Sequence, residues 1–393
     1  MMTLPTPLAT LRRQIPCIPR INYLANCSQA PLTTPVYEAI EQYLQSWMQA
    51  GMDWDRWMEE VEAARAAFAR LIHAQPEHIA VGTSVSQLVS SVASALASAP
   101  RPTRRRILSS TADFPGVGHA WSALRKYGWT VDVLPAPDGL LAEAQVREAL
   151  REDTALLSVP HVYYGQGACN DLSALLSVAR SQGSYLLVDA YQSLGTIPID
   201  VQATPVDFLV SGTLKYLLGT AGIAFLYVRP ELLEHLEPAV TGWFGRRHPF
   251  DFSLQLDYAG HASRFDLGTP PVVNAYAARS GMEMILHVGV APIRAHLEDL
   301  TRVAFAAAFQ HGLTIAGPQT LSQRGATIAF DVGSTEQAHA LDHALHRRDI
   351  HVAARGAMLR LAPHGFTTEA EIVDAITAIA QLLHKEQEGE KYA

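Results

Sequence analysis

The chain has 393 residues, 48% of them hydrophobic and 17% charged, with a formal net charge of −8. That balance suits a globular enzyme of roughly two to three domains' worth of chain, and it excludes the basic footprint of a nucleic-acid binder. The cysteines Cys17, Cys27 and Cys169 are too few and too widely spaced for a disulfide framework or a metal cluster, which predicts a reducing, cytoplasmic setting.

The N-terminal stretch MMTLPTPLATLRRQIPC has no unbroken apolar core of the signal-peptide kind. No run of 18 apolar residues occurs, so no membrane span is expected. TPVYEAIEQYLQSWMQAG reads as an amphipathic helix ending at Gly51. DWDRWMEEVEAARAAFARLIHA reads as a second helix, with Asp53 or Asp55 near its start. HIAVG is a short strand, and SVSQLVSSVASALASA a helix that begins beside Ser84. RRILSS, TVDVLPA, TALLSVPHV, SYLLVDA, VDFLVSG and GIAFLYV follow as strand candidates. Several are continuous apolar runs, as buried parallel strands are. GHAWSALRKYG and LSALLSVARSQG supply helices between them. This β-α alternation predicts an α/β fold with a mainly parallel sheet covered on both faces.

Residues 22–271 read as this large domain. From residue 272 the pattern changes to long helices (VVNAYAARSGMEMILHVG, APIRAHLEDLTRVAFAAAFQHG) and short strands (LTIAG, GATIAFDV, DIHVAAR, AMLRLAPH). Residues 272–393 therefore read as a small α+β domain, with the N-terminal segment 1–21 packing on it. The tail KEQEGEKYA is expected to fray.

Open α/β sheets bind ligands at the carboxyl ends of their strands. There the sequence places Thr83-Ser84-Val85-Ser86 before a helix, Asp113-Phe114-Pro115, Tyr163-Tyr164-Gly165-Gln166, Asp189-Ala190-Tyr191-Gln192, and Lys215. A hydroxyl-rich helix N-terminus is a natural phosphate cup, because its free amides and dipole face the anion. One rim thus offers an acid, an amine, a phosphate cup and aromatic rings. That set suits pyridoxal 5′-phosphate held as a Schiff base. A dinucleotide reading is weaker, since no G-x-G-x-x-G follows any strand and GTAG at residues 219–222 does not supply one.

The segment VDAYQSLGTIPIDVQATPVDFLVSGTLKYLLGTAGIAFLYV carries a specific combination. It runs strand, Asp, Gln three residues on, a Pro-x-Asp element, a second strand, then Lys and a glycine loop. With this combination the chain resembles the class V aminotransferase group of fold-type I pyridoxal-phosphate enzymes. That group includes cysteine desulfurases, kynureninase and isopenicillin-N epimerase. The resemblance runs from Tyr23-Leu24-Ala25-Asn26 to Leu359-Arg360-Leu361-Ala362-Pro363-His364. The stretches DFPG, YYGQG and GWFG look more like the kynureninase branch than the desulfurases.

The resemblance implies a seven-stranded-type sheet, a homodimer with shared active sites, and a role for each rim residue. Lys215 would be the Schiff-base lysine, because a desolvated amine loses its proton readily. Asp189 would pair with the pyridine nitrogen and Gln192 with the ring hydroxyl. Phe114 would stack on the ring. Ser84, the Val85 amide and Ser86 would hold the phosphate, with Ser211 and Thr213 as further candidates. Thr269, in RFDLGTPP, would reach a neighbouring subunit's phosphate, and Trp243 would line the site. Arg360, with Arg355 contributing, would clamp the α-carboxylate of an amino-acid substrate. Tyr163 is a further substrate-side candidate. The chain departs from the desulfurase pattern at Gly212 and Leu214, where those enzymes carry serine and histidine.

No cysteine follows Cys169, so the C-terminal cysteine nucleophile of a desulfurase is missing and persulfide-forming chemistry is not expected. Three reactions remain: a lyase acting at the β-carbon (for example C–S cleavage of a cysteine conjugate), an aminotransferase, and an epimerase or decarboxylase. The kynureninase-like stretches favour the lyase. A non-catalytic binding protein of this fold is the remote alternative, disfavoured by the retention of both Lys215 and Asp189.

Overall fold

The computed structural model describes residues 4–98 and 103–387. Of the tail from Lys385 onward, expected to fray, the first three residues end a helix that runs to Gln387, and residues 388–393 lie outside the described residues. In chain order, helix α1 (Thr6–Arg13) leads to the short strand β1 (Asn22–Tyr23), then α2 (Thr34–Ala50) and α3 (Trp54–Leu71). Gly51 ends α2 with φ +72°, the left-handed conformation that suits glycine after a helix. Strand β2 (Ile79–Gly82) and α4 (Val85–Ser98) open the main βα alternation. It continues through β3 (Arg106–Ser110), α5 (Pro115–Ala123), β4 (Thr130–Leu134), α6 (Glu143–Ala149), β5 (Thr154–Pro160), α7 (Leu172–Ser181), β6 (Tyr185–Asp189), β7 (Phe208–Gly212) and β8 (Ala224–Val228).

These seven strands, β2 to β8, form one sheet in the order β2-β8-β7-β6-β5-β3-β4. Strands β4, β3, β5, β6 and β7 run parallel to one another, and β8 runs against both of its neighbours. The sheet is buried on both faces, as its continuous apolar strands require. Along β8, Ala224, Leu226 and Val228 pack into the cluster under α4 and α5 with Leu88 and Trp121, while Phe225 and Tyr227 enter the other core. There Phe225 stacks on Phe68 of α3 at 4.7 Å between ring centroids. Burying each such side chain stabilises the fold by roughly 1.5–3 kcal/mol.

After the long helices α8 (Val272–Val288) and α9 (Val290–Gln310), a second sheet forms from β9 (Ile315–Ala316), β10 (Ile328–Asp331), β12 (Ala353–Arg355) and β13 (Met358–Leu361), in the order β12-β13-β10-β9. Helices α10 (Thr335–His346) and α11 (Glu369–Gln387) accompany it. The stretch DIHVAAR, expected as one strand, divides at Val352. Its first part, β11 (Ile350–His351), pairs in parallel with β1, and its second part is β12. The N-terminal segment causes the division by threading between the two sheets. The Leu24 amide donates to the His351 carbonyl, the Ala362 amide to the Leu24 carbonyl, and the Asn26 side chain to the Ala362 carbonyl. Arg12 of α1 is tied to Glu371 of α11 at 2.8 Å. Among the described residues no helix is long and apolar enough to cross a membrane.

Candidate active site

Where β2, β3, β5, β6 and β7 end, the sheet opens into a cavity of about 400 Å³. Its lining includes Thr83, Ser84, Val85, Ser86, Phe114, Tyr164, Asp189, Tyr191, Gln192, Lys215, Arg355 and Arg360, so residues far apart in sequence meet on one rim. Cys27 and Ser28 enter from the N-terminal segment.

Lys215 sits in the turn between β7 and β8, almost wholly buried. Its Nζ lies 4.4 Å from the centroid of the Tyr191 ring and 5.6 Å from that of Phe114. Burial lowers its pKa to about 8, against the opposing pull of the Asp189 carboxylate; the guanidiniums of Arg360 and Arg355 lower it further. Neutral amine is therefore more accessible near neutral pH than for an exposed lysine. The turn is held on every side. Ala30 donates its amide to the Leu214 carbonyl, and Gly219 to that of Thr213. The His364 ring accepts the Gly365 amide at Nδ1, so its Nε2 carries the hydrogen and donates to the Tyr216 carbonyl at 3.0 Å. Burial keeps this imidazole neutral, with its pKa near 4. Leu218 completes the turn at φ +58°, an uncommon conformation for leucine that the packed surroundings impose.

Gly212 explains the departure from the desulfurase serine. A Cβ there would lie 2.1 Å from the Tyr191 hydroxyl oxygen, so the tyrosine that walls in Lys215 excludes any side chain at 212. Leu214 lines the cavity where those enzymes carry histidine.

Asp189 closes β6, buried at the cavity wall. The Tyr191 amide donates to its Oδ1 at 2.9 Å. Burial raises its pKa, opposed by that hydrogen bond and by Lys215. Gln192 is buried, with Nε2 donating to the Cys27 carbonyl at 3.0 Å. Its Oε1 is buried without a partner among the described residues. A ligand bearing a ring hydroxyl would complete it, and leaving it unmet costs stability.

Ser84 stands at the start of α4, where its Oγ accepts the Gln87 amide, and Gln87 Oε1 in turn accepts the amide and hydroxyl of Thr83. The first-turn amides of α4 are thereby aimed outward with Thr83, Ser84 and Ser86 around them. Gly116 leaves room for this cup: a Cβ there would come 2.6 Å from Ser86 Oγ. A phosphorylated aldehyde of the pyridoxal type fits these groups: an anion cup, an acid, an unpaired amide oxygen and an amine around one cavity.

Arg360 is fully buried. It donates to the carbonyls of Ala353 and, at 2.7 Å, Tyr164, and more weakly to Ser28 Oγ. Tyr164, and not the adjacent Tyr163, lines the cavity, where its ring meets Phe114 edge-on at 5.4 Å. Tyr163 packs behind it, over Gly139 and Gly165. Ser211 and Thr213 lie outside the cavity lining, their hydroxyls donating to the carbonyls of Gly212 and Thr220. Trp243 also lies outside it, in an aromatic cluster with Phe244, Phe250 and Phe252. Thr269 is exposed and does not line this chain's own cavity.

The structure adds Ser28 and Cys27 to the wall, and of the rim residues to which no role was given it turns Thr83, Tyr164 and Tyr191 into the cavity. For the tyrosines the sequence carried a signal, adjacency to Asp189 and Tyr163, but not which side chain turns inward. Asp113 lies outside the lining yet behind it. It is buried, Ser109 donates to its Oδ2, and its Oδ1 is without a partner among the described residues. Burial and the neighbouring Asp189 charge raise its pKa to about 7. The folded chain thus keeps a proton that the unfolded chain releases near pH 3.8, so Asp113 stabilises fully below that value and loses this contribution as pH rises through about 7. In Asp113→Asn, the fall in urea-unfolding free energy between pH 4.5 and 7.5 is expected to shrink by a few kcal/mol relative to wild type. Identical pH slopes in the two proteins would refute a proton on this carboxyl.

The fold and this cavity define a fold-type I pyridoxal-phosphate enzyme. The profile of the family "Aminotransferase class-V" matches residues 22–362, and the chain belongs to that family. It is similar to an uncharacterized aminotransferase, YcbU, of Bacillus subtilis (strain 168), with 39% identity over 95% of this chain and 98% of the relative. It is also similar to the kynureninase of Pseudomonas fluorescens, 25% identical over 87% of this chain and 82% of the relative. Among solved structures, the apo cysteine desulfurase of Thermococcus onnurineus NA1 superposes with a TM-score of 0.85 and 21% identity, covering 98% of this chain and 99% of that one.

Proposed function

We propose that this pyridoxal-phosphate enzyme is a lyase that acts on an amino acid and breaks a bond at its β-carbon. The observation that carries the reading is the aromatic wall of Phe114 and Tyr164, 5.4 Å apart, beside Lys215. Both residues belong to the DFPG and YYGQG stretches that resemble the kynureninase branch. Cys27 is the one cysteine in the cavity lining, and it comes from the N-terminal segment, not the C-terminal half where desulfurases carry their nucleophile.

When bound, pyridoxal phosphate supplies an electron sink that makes the α-hydrogen of an attached amino acid acidic. The α4 N-terminus with Thr83, Ser84 and Ser86 would hold its phosphate, Asp189 its ring nitrogen, Gln192 its ring hydroxyl and Phe114 its face. Lys215 takes the α-proton, because its lowered pKa provides neutral amine at working pH. Arg360 holds the α-carboxylate with the N–H groups not committed to Ala353, Tyr164 and Ser28. Phe114 and Tyr164 form the aromatic side of the cavity in which the substrate would lie. In a β-elimination the proton on Lys215 would then go to the departing β-substituent, whose bond electrons leave with it; in a hydrolytic C–C cleavage giving alanine, water would supply the hydroxyl of the acyl fragment and Cβ would keep the bond electrons and take the proton.

Thr269 would complete the phosphate site of a second copy in a homodimer. Phe250, Phe252, Leu254 and Leu256 support that arrangement, because they form an exposed apolar strip near Trp243.

The deciding experiment is product analysis. Purified, cofactor-loaded protein is incubated with S-substituted cysteines, kynurenine and common amino acids, without any 2-oxo acid. Catalytic release of pyruvate or alanine, together with a thiol or side-chain fragment, is expected. Turnover that appears only once a 2-oxo acid is added would replace the lyase by an aminotransferase. That second reading is favoured by the 39%-identical Bacillus subtilis relative, which is named as an aminotransferase.

A further inference from the structure

The cavity lining holds two guanidiniums, Arg355 and Arg360, where an α-carboxylate needs one. It also holds Lys215, and Asp189 is the single carboxylate among the described lining residues. Arg360 is matched to an α-carboxylate under the reading above. Arg355 is the surplus. It makes no hydrogen bond or ion pair with any described residue, although nine other arginines form ion pairs with carboxylates: Arg12, Arg65, Arg70, Arg106, Arg147, Arg229, Arg279, Arg294 and Arg302.

 Arg264 and Arg324 are buried and spend their donors on main-chain oxygens. The Arg355 guanidinium stands close enough to Lys215 to lower that amine's pKa, so an anion bound between them would be attracted by both.

The β12–β13 ribbon sets the geometry. Ala353 pairs with Arg360, and Arg355 with Met358, so Arg355 and Arg360 lie on one face as diagonal neighbours. Such positions are separated by roughly 7–8 Å, too far to grip one carboxylate by default and well placed for two anionic groups of one small molecule. The tight turn at Gly356, with φ +55°, fixes Arg355 at the ribbon's end, on the open side of the cavity. Arg360 is buried deep while Arg355 is exposed, so the second seat lies toward the mouth, where a substrate side chain would extend.

We propose that Arg355 is a second anion seat, and that the substrate is an amino acid carrying a further negative charge, such as a carboxylate or sulfinate, on its side chain. This rests on the reading of the cavity as an amino-acid site, but not on which bond is broken there.

The test is a matched pair of ligands on the cofactor-loaded enzyme: S-carboxymethyl-L-cysteine and its neutral amide, S-carbamoylmethyl-L-cysteine. Dissociation constants come from titration calorimetry and from the cofactor's visible absorbance, and products are assayed separately. The wild type is expected to bind the charged member at least about 10-fold more tightly, as a charge-assisted hydrogen bond implies. Arg355→Gln should reduce that preference to within about 2-fold while leaving the neutral member's affinity unchanged, and Arg355→Lys should retain part of it. Equal binding of the pair by wild type overturns the proposal, as does failure to bind either. An Arg355→Gln protein that weakens both members equally also overturns it, by placing Arg355 in the α-carboxylate clamp. Failure of the lyase reading shows instead in the product assay and leaves the affinity comparison intact.

Discussion

Lys215→Ala is expected to abolish turnover, with kcat falling by at least about 10⁴-fold, the upper range for losing a positioned acid–base group. The covalent hold on the cofactor's aldehyde disappears with it. After borohydride treatment, wild-type peptide containing Lys215 should carry the reduced cofactor, and the variant should carry none. The phosphate cup at Ser84 and Ser86 is untouched, so the variant should still bind cofactor reversibly. Wild-type protein freed of cofactor should reload faster as pH rises through about 8, where Lys215 loses its proton. The sign follows from the lowered pKa: the neutral, nucleophilic amine gains population above that value. Normal turnover by Lys215→Ala would remove the basis of the whole site.

Asp189→Asn is expected to lower kcat by about 10²–10³-fold, the scale of losing one preorganised electrostatic contact, with a smaller change in KM. The substitution is close to isosteric, and an asparagine oxygen can still accept the Tyr191 amide, so the fold should survive. What is lost is the negative charge. Asp189 and Lys215 influence each other directly, each opposing the pKa shift that burial imposes on the other. The losses in the double variant should therefore not add. An Asp189→Asn enzyme with wild-type kcat would exclude a role for the carboxylate charge.

Much of this was legible in the sequence because it is local. Apolar runs of four to seven residues marked the strands of the main sheet, and Gly51 marked the end of α2, since burial on both faces and a left-handed glycine are properties of short segments. The rim residues Ser84, Phe114, Asp189, Gln192 and Lys215 could be named because each follows a strand, and strand ends converge in an open sheet. The combination around Lys215 was specific enough to mark the family.

The tertiary structure decided what depends on long-range packing. Whether Tyr163 or Tyr164 faces the cavity turns on one residue of register, to which composition is blind. Ser211 and Thr213 carry the right hydroxyls, yet nearby carbonyls claim both. DIHVAAR divides at Val352 because β1, more than 300 positions earlier, takes half of it as a partner. Gly212 has its reason only beside the Tyr191 ring. The chain by itself determined the strands, the family and the groups that meet at the strand ends, because near-neighbour patterns encode burial and turn geometry. Which groups are satisfied by the protein and which remain free for a ligand was decided by the folded structure alone, because hydrogen-bond partners are fixed by proximity in space and not along the chain.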